Sequence, residues 1–437
     1  MKKLFLFILC VLVFGLLLFF WFQKSGALLF GDIRQVVLSL GRLAGLLAAF
    51  ASLFQLVLIG RVKWVESLFG LDKLFRIHHI NGVATLFFVF LHPFFITTAY
   101  KGFSEVSYIE QTKLFLFNWS DMLQAYAAFL IFIFLIVISF SLIKKKLKYE
   151  WWYVMHLGMY VAIALAFGHQ IENGGDFQNN TPFVVYWYVL YIFVFGNLLF
   201  YRFFTPLYNF WKHRFFVDRV VHENNECVSI YISGKHMEKF HLDPGQFFIF
   251  RFLHKNFFFD AHPYSLSVAP NGTFIRITVK SLGDFSEKIS RIPIGTPVLI
   301  DGPHGIFTHK VSEEKKVLHI AGGIGITPIR SLIEYFSGKK DEVLLWGNRE
   351  EKDIIFKEEL NSFLKDGFRV YHVLSNDEKW NGEKGFIDKE KILRLVPDVK
   401  ERDIYLCGPS PMMKGVLDAL KEIGIPRRRV HYERFSF

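Results

Sequence analysis

Arg76-Ile-His-His-Ile-Asn-Gly-Val-Ala-Thr-Leu-Phe-Phe-Val-Phe-Leu-His-Pro-Phe94 sets two imidazoles, His78 and His92, into an otherwise apolar run. A second apolar run repeats the arrangement with His156 and His169. A single membrane histidine is more simply a polar side chain bonded to a neighbouring carbonyl. Two pairs at nearly equal spacing are a ligand set for two haems, because ionisable groups in hydrocarbon are costly and functional by default. The 14 steps from His78 to His92 amount to about 21 Å of helix rise and azimuths about 40° apart, so both rings face one side at different depths. The 13 steps from His156 to His169 leave the rings about 140° apart on an ideal helix, so a π-bulge or a loosened end turn is expected there. His79 is the bystander, since the spacing from His78 to His92 gives the better one-face solution.

A chain of 437 residues with 52% hydrophobic content and 52 phenylalanines does not form one soluble core. Its formal charge of +11 is concentrated beside apolar spans, where basic residues mark the cytoplasmic side, so no nucleic-acid partner is called for. Cys10, Cys227 and Cys407 are far apart with no CxxC pair, which excludes a disulfide framework, a zinc site and an iron-sulfur cluster. No calcium-binding loop and no proline-rich tail is present to place control in this chain.

Lys2 and Lys3 followed by the apolar run 4–22 resemble the start of a signal peptide, but the run is long enough to span and is read as an uncleaved first helix. Further spans are expected near 36–60, 77–100, 119–143, 152–170 and 182–203, six in all. Arg61, Lys63, Lys73 and Arg76, then Lys144, Lys145, Lys146 and Lys148, then Arg202, Lys212 and Arg214 fall on one face with Lys2 and Lys3. That face is read as cytoplasmic, and the acidic loop 171–181 as external. Spans three and five then run in the same direction, pairing His78 with His156 at the inner level and His92 with His169 at the outer. Two ligands per iron leave no open axial position, which suits electron transfer. Arg42 and Arg76 are placed either to meet haem propionates or to snorkel to the headgroups.

After Phe216 short alternating runs at 217–221, 228–233 and 274–279 predict an antiparallel β-barrel. From about residue 315 buried strands alternate with helices, predicting an α/β nucleotide-binding domain. Lys316-Val-Leu-His-Ile-Ala-Gly-Gly-Ile-Gly-Ile-Thr-Pro-Ile-Arg330 reads as strand, glycine turn and helix start, with Pro328 in the first helical turn. Its glycines let backbone N–H groups approach a pyrophosphate.

The barrel and nucleotide domain resemble the ferredoxin-NADP reductase superfamily, and their fusion behind a six-helix, four-histidine membrane domain resembles the ferric reductase and NADPH oxidase family, in the manner of a bacterial NADPH-oxidase-like member. The motifs that carry this are His262-Pro-Tyr-Ser-Leu-Ser267, the Gly322–Pro328 turn, Cys407-Gly-Pro-Ser-Pro-Met412 and Glu433-Arg-Phe435, in that order. The resemblance implies domains at 1–212 (haem), 213–312 (FAD) and 313–437 (NAD(P)). It implies that Tyr264 and Ser265 contact the isoalloxazine, with Ser265 near its N5, that His262, Pro263, Leu266 and Ser267 belong to the same cofactor-binding segment, and that Lys280, Gly283 and Ser286 hold the FAD pyrophosphate. Gly322, Gly323, Gly325, Thr327 and Pro328 would hold the nicotinamide nucleotide, with Cys407, Gly408 and Pro409 beside its ring and Arg349 at a 2′-phosphate. Phe435 would stack on the flavin and yield to nicotinamide, with Phe437 as a rival.

The implied activity is electron transfer from cytosolic NADPH, or NADH, through FAD and two b-type haems to a small external acceptor, dioxygen or a ferric chelate. The chain would sit as a multi-pass protein of the cell (inner) membrane, with its N-terminus and dehydrogenase half cytoplasmic and no obligate protein partner. The alternative is a haem-binding membrane subunit that works with a separate partner protein.

Overall fold

The computed structural model describes residues 2–139, 149–257 and 260–433. They fall into two compact units, one of Met1–Leu68 with Lys73–Tyr201 and the other of Phe69–Asp72 with Arg202–Phe437.

The first unit is a multi-pass helical bundle. Its elements are α1 (Lys2–Ser25), α2 (Ile33–Ile59), α3 (Lys63–Phe69), α4 (Leu71–Ser104), α5 (Tyr108–Asn118), α6 (Met122–Ser139), α7 (Tyr149–His156), α8 (Gly158–Leu165), α9 (Phe167–Asn173) and α10 (Thr181–Leu199). Among the described residues six helical stretches are long and apolar enough to cross a membrane, matching the six expected spans. The lysines at 144, 145, 146 and 148 lie outside the described residues. Val83, Phe87, Phe134, Val189 and Ile192 stand exposed around the bundle, an apolar exterior that lipid covers and water would not tolerate. Helix starts follow local chemistry: Asp32 accepts the Gln35 N–H at 2.9 Å while the Gln35 side chain accepts the Asp32 N–H at 3.3 Å.

The fifth span solves the azimuth problem posed by His156 and His169. It is three short helices, α7, α8 and α9, joined at Leu157 (φ −62°, ψ −19°) and Ala166 (φ −75°, ψ −9°). At Leu157 the turn is tightened, since Tyr160 N–H bonds Leu157 O three residues back at 3.1 Å, while Ala166 N–H keeps a bond to Ala162 O four residues back at 3.0 Å. A 3₁₀ turn advances about 120° per residue instead of about 100°, which turns His169 part of the way toward the side of His156. The first junction is tightened, where a π-bulge or a loosened turn was expected. The π-helical segment falls instead at Phe200–Phe204, at the end of the sixth span.

The second unit begins with α11 (Thr205–His213), which ends at Arg214 in the left-handed region (φ 47°). Six antiparallel strands follow in two sheets. The first is ordered β1 (Phe216–His222), β2 (Cys227–Ser233), β5 (Phe274–Lys280), and the second β4 (His262–Ser265), β3 (Phe247–Phe252), β6 (Val298–His304). Bridges Phe216↔Pro297 and Leu266↔Ile277 join the two sheets at both edges, closing the predicted barrel around Ile230, Phe248, Phe250, Ile277 and Ile300. Helix α12 (Asp284–Lys288) follows β5.

The remaining strands form one parallel sheet ordered β10 (Glu383–Lys384), β9 (Arg369–Leu374), β8 (Asp341–Asn348), β7 (Lys316–Gly322), β11 (Asp403–Cys407), β12 (Val430–Glu433). Helices α13 (Ile326–Phe336) and α14 (Lys357–Ser362) contribute to the core on one face, α15 (Lys389–Leu395) and α16 (Ser410–Ile423) to that on the other. Val317 and Ala321 of β7 enter the first core while Leu318 and Ile320 enter the second. Burial on both faces is why the strand reads as an unbroken apolar run.

Charged groups tie barrel to sheet. Arg276 on β5 donates to Glu359 at 2.7 and 3.0 Å, and Arg330 on α13 pairs with the same carboxylate at 2.6 Å. Arg276 and Arg330 are 3% and 6% exposed while Glu359 is 35% exposed. Among the described residues, Glu359→Ala leaves Arg276 with neutral partners only, Ser267 and Tyr231, and Arg330 with Glu334 as its one carboxylate; it is expected to cost about 2–3 kcal/mol, at or below the lower end for a buried pair because Glu359 is partly open. A lowered denaturant midpoint of the full chain, followed by circular dichroism, checks it.

Candidate functional site

In the membrane unit the four histidines meet as two pairs. His78 on α4 faces His156 on α7 with ring centres 6.3 Å apart, and His92 on α4 faces His169 on α9 at 6.2 Å. His79 is exposed and bonds the Phe75 carbonyl of its own helix at 3.0 Å. His92 Nδ1 lies 2.9 Å from the Gly41 carbonyl, and His156 Nδ1 lies 3.3 Å from the Ser139 hydroxyl. A second-sphere bond at Nδ1 fixes the ring and leaves Nε2 for a metal. His78 Nδ1 is buried with no hydrogen-bond partner.

The approach of His92 to α2 depends on Gly45, where a Cβ would stand 2.6 Å from His92 Nδ1. At Gly41, one turn earlier, a Cβ would stand 3.0 Å from Phe95 and Ile96. Gly41-Arg-Leu-Ala-Gly45 is a small-x-x-x-small helix contact, a signal present in the sequence that could have located this face.

Beside the His92/His169 pair opens a cleft of about 1420 Å³, a volume that includes open solvent, with Arg42, Gly45, Tyr100, Trp119, Gln170 and Asp176 among its lining. Arg42 Nη1 donates to Ser25 Oγ at 3.3 Å, and that hydroxyl donates to Asp176 at 2.6 Å. Burial raises the Asp176 carboxyl above its ordinary value, opposed by Ser25 and Arg42. Arg76 is exposed.

In the second unit Ser265 ends β4, 4% exposed, with a buried hydroxyl that has no hydrogen-bond partner. An orphan hydroxyl in a strand is a vacancy that a polar ligand edge fills. Tyr264 is half-buried, its phenol pushed up chiefly by burial, and the His262 ring lies 4.0 Å from that of Phe285. Leu266 and Ser267 do not present side chains to a ligand. Leu266 lies in the barrel core, and the Ser267 hydroxyl is taken by Arg276 Nε at 3.1 Å and Thr278 at 2.8 Å. Lys280 pairs with Glu226 at 3.0 Å, and Ser286 Oγ accepts the Gly283 N–H at 2.9 Å.

At the carboxyl ends of β7 and β11, where strand order reverses, an open α/β sheet binds its ligand. There Ala321 pairs with Cys407, bringing the two glycine turns together. A Cβ on Gly325 would collide with the Cys407 carbonyl, one on Gly322 with Met412, and one on Gly408 would stand 3.0 Å from Gly322 N. Thr327 is buried and bonds Ile324 O at 3.1 Å, with Pro328 buried beside it. Cys407 is fully buried, and burial, reinforced by Glu433, holds its thiol well above the ordinary value, so it is neutral. Pro409 and Arg349 are exposed. Asn348 is 7% exposed with both side-chain polar atoms unpartnered, a feature of the β8 end that no motif announced. Phe435 and Phe437 lie outside the described residues.

Bundle, barrel and a parallel sheet with a glycine-lined switch point are the architecture of a membrane component joined to flavin- and nucleotide-binding domains. Family models match in the same order: a ferric reductase like transmembrane component at 44–167, an FAD-binding domain at 214–308 and an oxidoreductase NAD-binding domain at 319–418. The chain is thus a ferric reductase and NADPH oxidase-like fusion of a membrane component with a ferredoxin-reductase-type domain. It is 31% identical over 188 residues to the glycine betaine monooxygenase reductase subunit of Chromohalobacter salexigens, covering 40% of this chain and 50% of that one. It is 33% identical over 160 residues to NADH-cytochrome b5 reductase 1 of Aspergillus oryzae, covering 34% and 55%. The chain spans about half the length of the curated relatives it matches. Among solved structures, the FAD/NAD-binding domain of a nitric oxide dioxygenase from Vibrio cholerae aligns with TM-score 0.46 at 23% identity, covering 51% of this chain and 98% of that one.

Because Gly325 abuts backbone on the neighbouring turn, Gly325→Ala must push the two turns apart. It is expected to cost about 1–3 kcal/mol and to weaken NADPH binding about tenfold or more. Fluorescence titration of the full chain with NADPH, alongside thermal unfolding, measures both.

Proposed function

We propose that this chain transfers electrons from NAD(P)H through FAD and two haems, each held between two histidines, to a one-electron acceptor on the far side of the membrane. The acceptor is dioxygen, giving superoxide, or a ferric chelate. The observation that carries this reading is the pair of ring separations, 6.3 and 6.2 Å. A metal with bonds of about 2 Å to a nitrogen on each side fits between rings so spaced.

Haem, when bound, supplies a one-electron couple tuned by its axial ligands and their burial. His78 with His156, and His92 with His169, would each supply two imidazoles to one haem iron, so the acceptor would be reduced without binding the metal. Gly41 and Ser139 orient Nδ1 of two of these rings and so present Nε2. In the dehydrogenase half Ser265 offers its unspent hydroxyl to the flavin edge, while Cys407 stays a neutral thiol that a hydride donor can approach without repulsion. Gly322, Gly323 and Gly325 open the backbone to the nucleotide phosphates. Arg349, exposed at the end of β8, favours NADPH. The clusters of Arg and Lys in alternate loops support a cytoplasmic dehydrogenase in the cell (inner) membrane. The domain division 1–212, 213–312 and 313–437 is part of this reading.

Purified full chain given haem, FAD and NADPH is expected to show a Soret band that shifts on anaerobic NADPH addition. Product assays with and without superoxide dismutase then separate superoxide from Fe(III)-chelate reduction. The double variant His78→Ala/His156→Ala is expected to lose half the haem, and retention of the full load would overturn the assignment. Gly45→Val, which leaves all four histidines in the sequence, is expected to lower outer-haem occupancy by driving His92 off the Gly41 carbonyl; pyridine haemochrome stoichiometry reads it.

A further inference from the structure

Gln170 follows His169 on α9 and is gripped from α10. Trp187 Nε1 donates to its Oε1 at 2.9 Å, and the Tyr191 hydroxyl donates to the same oxygen at 3.0 Å. An indole N–H can only donate, so the gripped atom is the amide oxygen and no flip is open. Trp187 is fully buried and Tyr191 is 8% exposed, so both donors are fixed by packing. With its oxygen committed, the amide's Nε2 must point elsewhere. Gln170 lines the cleft that also holds His92 and His169. None of the described residues accepts a hydrogen bond from Nε2, and Nε2 is absent from the buried unpartnered atoms. The amide N–H₂ therefore opens into the cleft as a held, neutral donor among aromatic and aliphatic walls.

We propose that Gln170 is the acceptor-binding residue of the outer site, donating an N–H to a small oxygen acceptor seated beside the His92/His169 pair and so selecting dioxygen over a bulky ferric chelate. This rests on the functional reading above. In the step it assists, dioxygen gains one electron originating from NAD(P)H and leaves as superoxide; no bond is made or broken and no proton moves. Negative charge appears on oxygen in a poorly solvated cleft, where a fixed donor contributes far more than it would in water. A donor already clamped by two partners needs no reorganisation when that charge forms. Trp187 and Tyr191 are positioning residues, acting through the amide oxygen.

Gln170→Glu tests this. It keeps an oxygen for Trp187 and Tyr191 but replaces the donor with an acceptor. The full chain carrying this substitution is expected to retain two haems with unaltered Soret maxima; the new negative charge lowers the midpoint potential or leaves it unchanged, which does not weaken the drive to reduce dioxygen, while kcat/KM for dioxygen in superoxide formation falls about tenfold or more, as for a lost oxyanion donor. Tyr191→Phe, which removes one clamp, should give a smaller fall. An unchanged kcat/KM for dioxygen in Gln170→Glu would overturn the proposal. So would a shift in midpoint potential large enough to explain the loss, since Gln170 would then act through the metal. A wild-type chain without haem, or one whose haem NADPH cannot reduce, would instead refute the functional reading.

Discussion

An imidazole in hydrocarbon must have both nitrogens engaged or remain a standing cost to the bundle. Among the described residues, the protein's own groups meet that demand for two of the four rings. Each ring of α4 faces a ring of the fifth span, with centres 6.3 and 6.2 Å apart. Nδ1 is met by a backbone carbonyl at His92 and a hydroxyl at His156, while Nδ1 of His78 and of His169 is buried without a partner. Clearance at Gly45, the tightened turn at Leu157 and the break at Ala166 serve the same end. Without the first, His92 could not lie against α2; the breaks are where the fifth span departs from the ideal azimuths that would set His156 and His169 apart.

The dehydrogenase unit answers a different constraint. A parallel sheet buried on both faces has nowhere to bind a ligand except at the ends of its strands, and the reversal between β7 and β11 opens the gap there. Both flanking turns are glycine-rich because each is the other's neighbour: Gly322, Gly325 and Gly408 are packed against backbone and side chains of the opposite turn. The same unit shows why a motif is not a list of contacts. In His262–Ser267, Ser265 keeps a buried hydroxyl free for a ligand while Ser267, two residues on, spends its own on Arg276. That bond links the flavin strand to the Arg276–Glu359–Arg330 cluster, and hence to helix α13.

Membrane placement and chemistry converge on the outer cleft. Its walls are aromatic, its polar groups few, and most are already committed: Arg42 to Ser25, Ser25 to Asp176, the Gln170 oxygen to Trp187 and Tyr191. What stays uncommitted in such surroundings, the Gln170 nitrogen and His169 Nδ1, is informative because the neighbouring polar groups are satisfied internally.

Local sequence was enough for the six apolar spans, the paired histidines, the alternating barrel strands and the strand–glycine–helix turn. Each follows from hydropathy, periodicity or residue type within a dozen neighbours. It could not say how His156 and His169 come to one side, since helical azimuth depends on small backbone deviations accumulated over 13 residues. Nor could it say which serine of a motif is spent, that Gly45 is the clearance for a ring 47 residues later, or where the nitrogen of Gln170 points. Those were decided by tertiary packing, because a hydrogen bond or a void belongs to two segments at once and neither segment alone encodes it.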